Sequence, residues 1–297
     1  LGNKKFEDVK DKMIDALDSL EEYNGFIPAV VIKADPKYVQ AFTKKGETID
    51  IKNDGLALIQ KTLSDKDPKN RKVKSGSIIR VIQKNKQWEV VQLPKVEASL
   101  VSMDPQTGAI TALVGGFDFN RNKYNHVTQA KRQPGSTFKP FIYSAALEKG
   151  ITPATIVNDA PLHFSAAETG SGTDWDPQNY DNDFDGHIRL RNGLAKSKNL
   201  VAIRVLKAIG PSYAQDYATR FGFDAANHPA YLSMALGVGS ATLMEMVTAY
   251  GVFANGGYLK KPYLIEKMVD SQGKVIDQTN AMFQNEETPR VIDPRNA

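Results

Sequence analysis

Between Ile27 and Leu93 the chain runs in short β-type segments, and beyond Ser136 it runs mostly in helical ones. A change of period on that scale, in a chain of 297 residues, leads us to expect two separately cored units. The early segments are IPAVVIKA, YVQAF, TIDI, SIIRVIQ and WEVVQL, punctuated by Asn53-Asp54-Gly55 and Ser75-Gly76, with one helical patch, LALIQKTL. Ahead of them Phe6, Val9, Met13, Leu17 and Leu20 recur at helical spacing, which predicts an amphipathic helix over the first two dozen residues, stopped near Asn24-Gly25.

Short strands in that number, with one helix among them, predict a small β-barrel of the OB type over 25–94, with 1–24 as a linker helix. The Lys- and Asp-rich stretch 61–74 reads as a solvated loop. From Val96 the texture changes. ASLVSMDPQTGAITALVGG predicts a β-hairpin turning at Asp104–Gly108. Helical patterns follow Ser136, a long polar loop spans SAAETGSGTDWDPQNYDNDFDGH, and NLVAIRVLKAIG, SYAQDYATRFGF and TLMEMVTAYGVFANGG predict further helices. The last carries Thr242 as N-cap, Glu245 as its capping-box partner and Asn255-Gly256 as its stop. This second unit, 95–297, reads as α+β.

The composition is that of ordinary globular material, 41% hydrophobic and 24% charged, and the formal net charge of +4 is only mildly basic. Nothing in that balance calls for a nucleic-acid partner. With no cysteine, disulfides and thiolate metal sites are excluded. No run approaches the roughly 20 apolar residues of a membrane span, and the first residues do not read as a signal peptide.

Chemistry concentrates in QPGSTFKPF. Serine is a poor nucleophile until a base takes its proton. Positions three apart share a helix face, so Lys139 can reach Ser136. Burial among Phe138, Phe141 and Ile142 would disfavour the ammonium and leave a neutral amine to act as that base. Gly135 permits close backbone approach, the Ser136 amide stands free at a helix start to meet an oxyanion, and Pro140 falls where a missing N–H costs little. Well downstream, LAKSKNLVAIRVL places Ser197 and Asn199 just before a helix. A hydroxyl there can relay a proton, and an amide can hold a peptide group.

Ser-x-x-Lys and Ser-x-Asn belong to the β-lactamase and penicillin-binding set, whose third member is Lys-Thr-Gly. The segments ASLVSMDPQTGAITALVGG, RQPGSTFKPFIYSAALEKG, LAKSKNLVAIRV and MALGVGSATLMEMVTAYGVFANGG closely resemble the transpeptidase region of bifunctional, class A penicillin-binding proteins of type 1a, over about Val96 to Pro262. The β-rich unit is similar to the OB-like insert of that type. The resemblance implies a D,D-transpeptidase that cross-links peptidoglycan stem peptides. Ser136 would be acylated, by substrate or by β-lactams. Lys139 would be the base, Ser197 the proton relay, and Asn199 a partner of substrate and lysine. DWDPQNY also matches, so Trp175 and Asn179 would line the cleft or order its loop. It further implies no cofactor and no metal, a glycosyltransferase domain acting on lipid-linked glycan strands, and a single membrane anchor outside this sequence. The setting would be the periplasmic face of a bacterial inner membrane, with an outer-membrane lipoprotein activator as a partner for the OB-like unit.

One member of the set is missing: Lys-Ser-Gly occurs only at Lys74–Gly76, among the β-type runs. The resemblance places the third motif and its neighbouring strands beyond the ANGG region, outside this sequence. Two rivals remain open. A class A β-lactamase needs a glutamate to activate water, and Glu148 and Glu168 are the only ones between the two motifs. A non-catalytic penicillin sensor would keep the acylation site alone.

Overall fold

The structure, a computed structural model, describes residues 9–63, 72–169, 173–279 and 290–297. Phe6 and much of the charged stretch 61–74 lie outside the described residues, as do 170–172 of the long polar loop. The chain divides into two compact units, one comprising Leu1–Glu97 with Gly116–Lys123, the other Ala98–Gly115 with Tyr124–Ala297.

The first unit is built on one antiparallel sheet. Its strands are β1 (Ile27–Asp35), β2 (Tyr38–Thr43), β3 (Thr48–Lys52), β4 (Ile78–Lys84) and β5 (Gln87–Val91), ordered β3-β2-β1-β4-β5. Strand alternation explains how one sheet serves two cores. Ala29 and Val31 of β1 point to the same side as Val39, Ile51, Val81 and Val90, all buried together. Val30 and Phe42 face the other way, where Met13 and Leu17 of helix α1 (Lys10–Asp18) cover them. The end strands β3 and β5 are not hydrogen-bonded to each other, so the sheet is curled but its ladder is not closed into a ring.

Asn53-Asp54-Gly55 and only the first half of the expected helical patch, Leu56–Ile59, form a 3-10 helix, Asn53–Ile59, whose Leu56 and Ile59 fill the space inside the sheet. Gly55 is required there because a Cβ would overlap the Trp88 carbonyl oxygen. Lys74–Gly76 belongs to the turn entering β4, where Ser77 N–H donates to Lys74 O.

The second unit is helical at its centre. A 3-10 turn, Gly135–Phe138, runs into α2 (Lys139–Glu148), with Pro140 in its first turn. After a short helix α3 (Ala166–Thr169) come α4 (Leu190–Ala195), α5 (Asn199–Ile209), α6 (Pro211–Thr219) and α7 (Leu243–Ala254). α5 is the axis of the core: Leu200, Val201, Ala202, Ile203, Val205, Leu206 and Ile209 are all buried. Phe138 and Phe141 pack against Phe221, Phe223 and Phe253. The Thr242–Glu245 capping box forms at α7 as expected.

Among the described residues the strands of this unit come as three antiparallel ribbons: β6 (Leu100–Met103) with β7 (Ile110–Val114), β8 (Ile156–Asp159) with β9 (Gly186–Arg189), and β10 (Lys267–Val269) with β11 (Val275–Gln278). The first is the expected hairpin. The second was not legible as strands, because its runs TIVND and GHIR are too short and polar to show a period.

Candidate active site

Four segments build the site. The turn Gly135–Phe138 presents Ser136, which is exposed, while Lys139 begins α2 and is only 1% exposed. A second turn, closing α4 and opening α5, presents Ser197 and Asn199. The polar loop before β9 supports that turn from one side. A 3-10 turn at Leu232–Leu236, ending on Gly237 in the left-handed region, supports the nucleophile's turn from another.

The two motifs meet at Lys139. Its Nζ donates to Ser197 O at 2.6 Å, to Asn199 Oδ1 at 2.7 Å and to Ser197 Oγ at 3.1 Å. Two of these oxygens can only accept; the hydroxyl can also donate. An ammonium fills all three with its hydrogens. A neutral amine fills the two acceptors and keeps its lone pair for a hydroxyl hydrogen, so the pocket accommodates both states. Burial lowers the Lys139 pKa to about 8. At pH 7 about a tenth of the molecules then carry a neutral amine. Among the described residues the hydrogen-bond partners of Nζ all belong to the second motif, and Lys139 relates to Ser136 through helical spacing.

Ser197 holds φ 54, a left-handed conformation that costs a non-glycine residue about 1 kcal/mol or more. The strain turns its carbonyl and hydroxyl onto the same amine. Asn199 is tied at three atoms: Oδ1 accepts from Lys139, Nδ2 donates to Gln178 O at 2.8 Å, and its backbone N–H donates to Asn179 Oδ1 at 2.9 Å. One Nδ2 hydrogen remains for another acceptor.

Asn179 is buried beneath this motif. Its Oδ1 accepts from the N–H groups of Asn199 and Leu200, capping α5, and its Nδ2 donates to Asp159 Oδ1 and Asp183 O. Trp175 stands apart from the four. Its ring stacks on Phe164 with centroids 5.5 Å apart, and it lines a cavity of about 490 Å³ with Tyr231, Leu232, Ser233 and Asp174. Glu148 lies 3.6 Å from Arg220, and Glu168 caps its own helix at Ser165, so both glutamates are engaged elsewhere.

Other residues were not singled out from the sequence. Gly237 packs directly on the nucleophile's turn: Gly135 N–H donates to its carbonyl at 3.2 Å, and a Cβ on Gly237 would overlap Gly135 backbone atoms. Tyr250 Oη donates to Thr137 O at 2.7 Å. His228 stacks on Phe138 at 4.8 Å, its pKa lowered by burial, which favours the neutral ring. Lys198 sits buried between Ser197 and Asn199, facing Asp159, Asp181 and Asp185. The opposite charges of SKN and DNDFDG were the available signal for that last contact.

A lysine amine shared by a Ser-x-x-Lys helix start and a Ser-x-Asn turn is the arrangement of serine acyl-transfer enzymes that react with penicillin. The chain belongs to the penicillin-binding protein family: the penicillin binding protein transpeptidase domain matches residues 98–294, and the penicillin-binding protein OB-like domain matches residues 2–96. Among individual proteins it is similar to penicillin-binding protein 1A of Neisseria flavescens, 43% identical over 293 residues, covering 99% of this chain and 37% of that protein. The crystal structure of penicillin-binding protein 1A from Haemophilus influenzae superposes with a TM-score of 0.79 at 37% identity, covering 91% of this chain and 39% of that one. PonA1 from Mycobacterium tuberculosis, in complex with penicillin V, follows with a TM-score of 0.55 at 26% identity, over 67% of this chain and 52% of that one. The chain thus spans little more than a third of the length of the curated relatives it matches. Among the described residues, no helix is long and apolar enough to cross a membrane.

Proposed function

We propose that this chain is the D,D-transpeptidase portion of a bifunctional cell-wall synthase, acting through an acyl-enzyme on Ser136. In the first half-reaction Ser136 Oγ attacks the carbonyl carbon between the two terminal D-Ala residues of a stem peptide. Neutral Lys139 accepts the hydroxyl proton, and the Ser136 N–H meets the oxyanion. The C–N bond breaks, and the departing D-Ala amine takes a proton passed from Lys139 through Ser197 Oγ. In the second half-reaction the amine of a neighbouring stem peptide attacks the ester, loses its proton by the same route, and releases Ser136. Asn199 holds the lysine and offers its free N–H to the peptide. Trp175 and Asn179 are assigned to the cleft wall, Asn179 from below as the cap of α5.

The observation that carries this reading is the buried Lys139 amine held by Ser197 and Asn199 at 2.6–3.1 Å. The complex of a relative with penicillin V supports penicillins as ligands of this site. On this reading the chain divides into a helix at 1–24, an OB-like module at 25–94 that docks an outer-membrane lipoprotein activator, and the transpeptidase domain from 95. The module's barrel would close over its open side. The Lys-Thr-Gly strand, the glycosyltransferase acting on lipid-linked glycan and a single-pass anchor in the inner membrane would lie outside this sequence, with the chain on the periplasmic face. The engagement of Glu148 and Glu168 elsewhere favours transfer to an amine over hydrolysis.

The test is covalent labelling of the full-length protein with a penicillin, followed by peptide mass mapping. The adduct is expected on the peptide holding Ser136 and is expected to vanish in Ser136→Ala. An adduct elsewhere overturns the assignment. Turnover of a stem-peptide donor with an amine acceptor separates a transpeptidase from a sensor that only acylates.

A further inference from the structure

Lys198 has no step in the reaction above, yet it is among the most confined charges of the second unit. Its side chain is 4% exposed. Nζ donates to Asp181 Oδ2 at 2.9 Å and to Asp183 O at 3.3 Å, with Asp159 Oδ2 at 3.5 Å and Asp185 Oδ1 at 3.8 Å. Asp159, at the end of β8, is fully buried and also accepts from Asn179 Nδ2 and from the Asp185 N–H. Two other cations lie near this group: Lys196 pairs with Asp185 at 2.8 Å, and Arg204 donates to the backbone carbonyl of Ala160, next to Asp159.

One cation therefore gathers three carboxylates from β8 and the loop before β9. The same segments, through Asn179, cap the helix that Asn199 begins. Ser197, one residue before, is in a strained conformation that needs holding. A buried charge left without its partners is far costlier than the pair is stabilising, so the lysine and its aspartates keep one arrangement. Hydrogen bonding to Asp181, with the nearby carboxylates, raises the Lys198 pKa and keeps it cationic. Burial alone accounts for the lowering at Lys139.

We infer that Lys198 is a positioning residue: pinned to Asp159, Asp181 and Asp185, it holds the Ser197 carbonyl and the Asn199 amide on the Lys139 amine. The inference rests on the acyl-transfer reading above. It goes further in giving the middle residue of the second motif a role in holding its two neighbours on the lysine amine.

The test measures the penicillin-labelling rate of the full-length protein from pH 6 to 10, with the adduct mapped in each case. In Lys198→Met the high-pH plateau is expected to fall at least tenfold, and the inflection to move above that of the parent, because a cation is lost beside the motif and Asp159 and Asp181 remain without it, which favours the Lys139 ammonium. Lys198→Arg should recover the plateau to within a few-fold. Asp181→Ala removes an exposed partner and leaves the buried pair intact, so it serves if Lys198→Met does not fold. Its plateau should fall severalfold and its inflection move the other way, below the parent, since Lys198 is then under-compensated. A plateau and inflection unchanged in Asp181→Ala, or shifts in the same direction in both variants, overturn the inference. If the parent itself does not label at Ser136, the acyl-transfer reading falls first, and the two failures are distinct.

Discussion

Lys139 answers two opposed demands. It must be buried enough to give up its proton, and it must stay hydrogen-bonded while doing so. Burial lowers its pKa to about 8, and the Ser197 and Asn199 oxygens receive its hydrogens in either state. Acylation by penicillin should therefore rise with pH, close to tenfold per pH unit well below 8, and level off above it. A rate flat from pH 6 to 9 would place the base elsewhere. Lys139→Arg keeps a cation that cannot deprotonate, so the labelling rate should drop by about 10²–10⁴-fold in a chain that still folds. The same group leaves a mark on stability. Between about pH 8 and the ordinary lysine value near 10.4, the unfolded chain binds the Lys139 proton and the folded chain does not, so this group's contribution to stability rises with pH across that window and is constant below it.

The turns that flank helices do most of the positioning, and their sensitivity differs by cause. Gly237 sits at φ 67 against the Gly135 backbone, where any Cβ collides with main chain and cannot be accommodated by a rotamer change. Gly237→Ala should displace the nucleophile's turn. Labelling is expected to fall by more than tenfold while circular dichroism keeps its helical signal; labelling within twofold of the parent would show that the turn tolerates the shift. Thr242→Ala, by contrast, removes only a cap. Thr242 Oγ1 accepts from Glu245 N–H at 3.1 Å, while Glu245 Oε2 accepts from Thr242 N–H at 2.6 Å. Its loss should cost about 1 kcal/mol. In a unit of this size that is a fall of roughly 2–4 °C in Tm. The labelling rate is expected to remain that of the parent.

Two cores of separate membership imply two melting events. The buried clusters of the first unit draw on α1 and β1 to β5, and the cluster of the second draws on residues from Phe138 onward. Calorimetry of the full-length protein should resolve separate transitions for these units. Ile51→Ala, at a fully buried site between strands, should lower one of them by about 2–5 kcal/mol and leave penicillin labelling within a few-fold. A single transition that moves as a whole would mean that the units fold as one. The segment 116–123 groups with the first unit although it lies within the second in sequence. Asp118 accepts from the Asn24 N–H at 2.8 Å, and the Phe117 ring meets Phe26 at 5.2 Å. A deletion that removes 25–94 alone leaves Phe117 without its Phe26 partner.

Local features were legible from the residues alone. The period of the β runs, the hairpin at Asp104–Gly108, the α7 capping box and the Ser-x-x-Lys helix start all depend on neighbours within a few positions, where side-chain spacing and backbone preference suffice. The juxtaposition of Lys139 with Ser197 and Asn199 was anticipated only through family resemblance, since no spacing rule joins residues so far apart in sequence. What tertiary structure alone decided is the support behind them. Gly237 under Gly135, Asn179 under α5 and Lys198 among three aspartates are contacts between segments distant in sequence, and each depends on burial and direction. A glycine, an asparagine and a lysine in polar loops look solvated until the fold removes the water from around them.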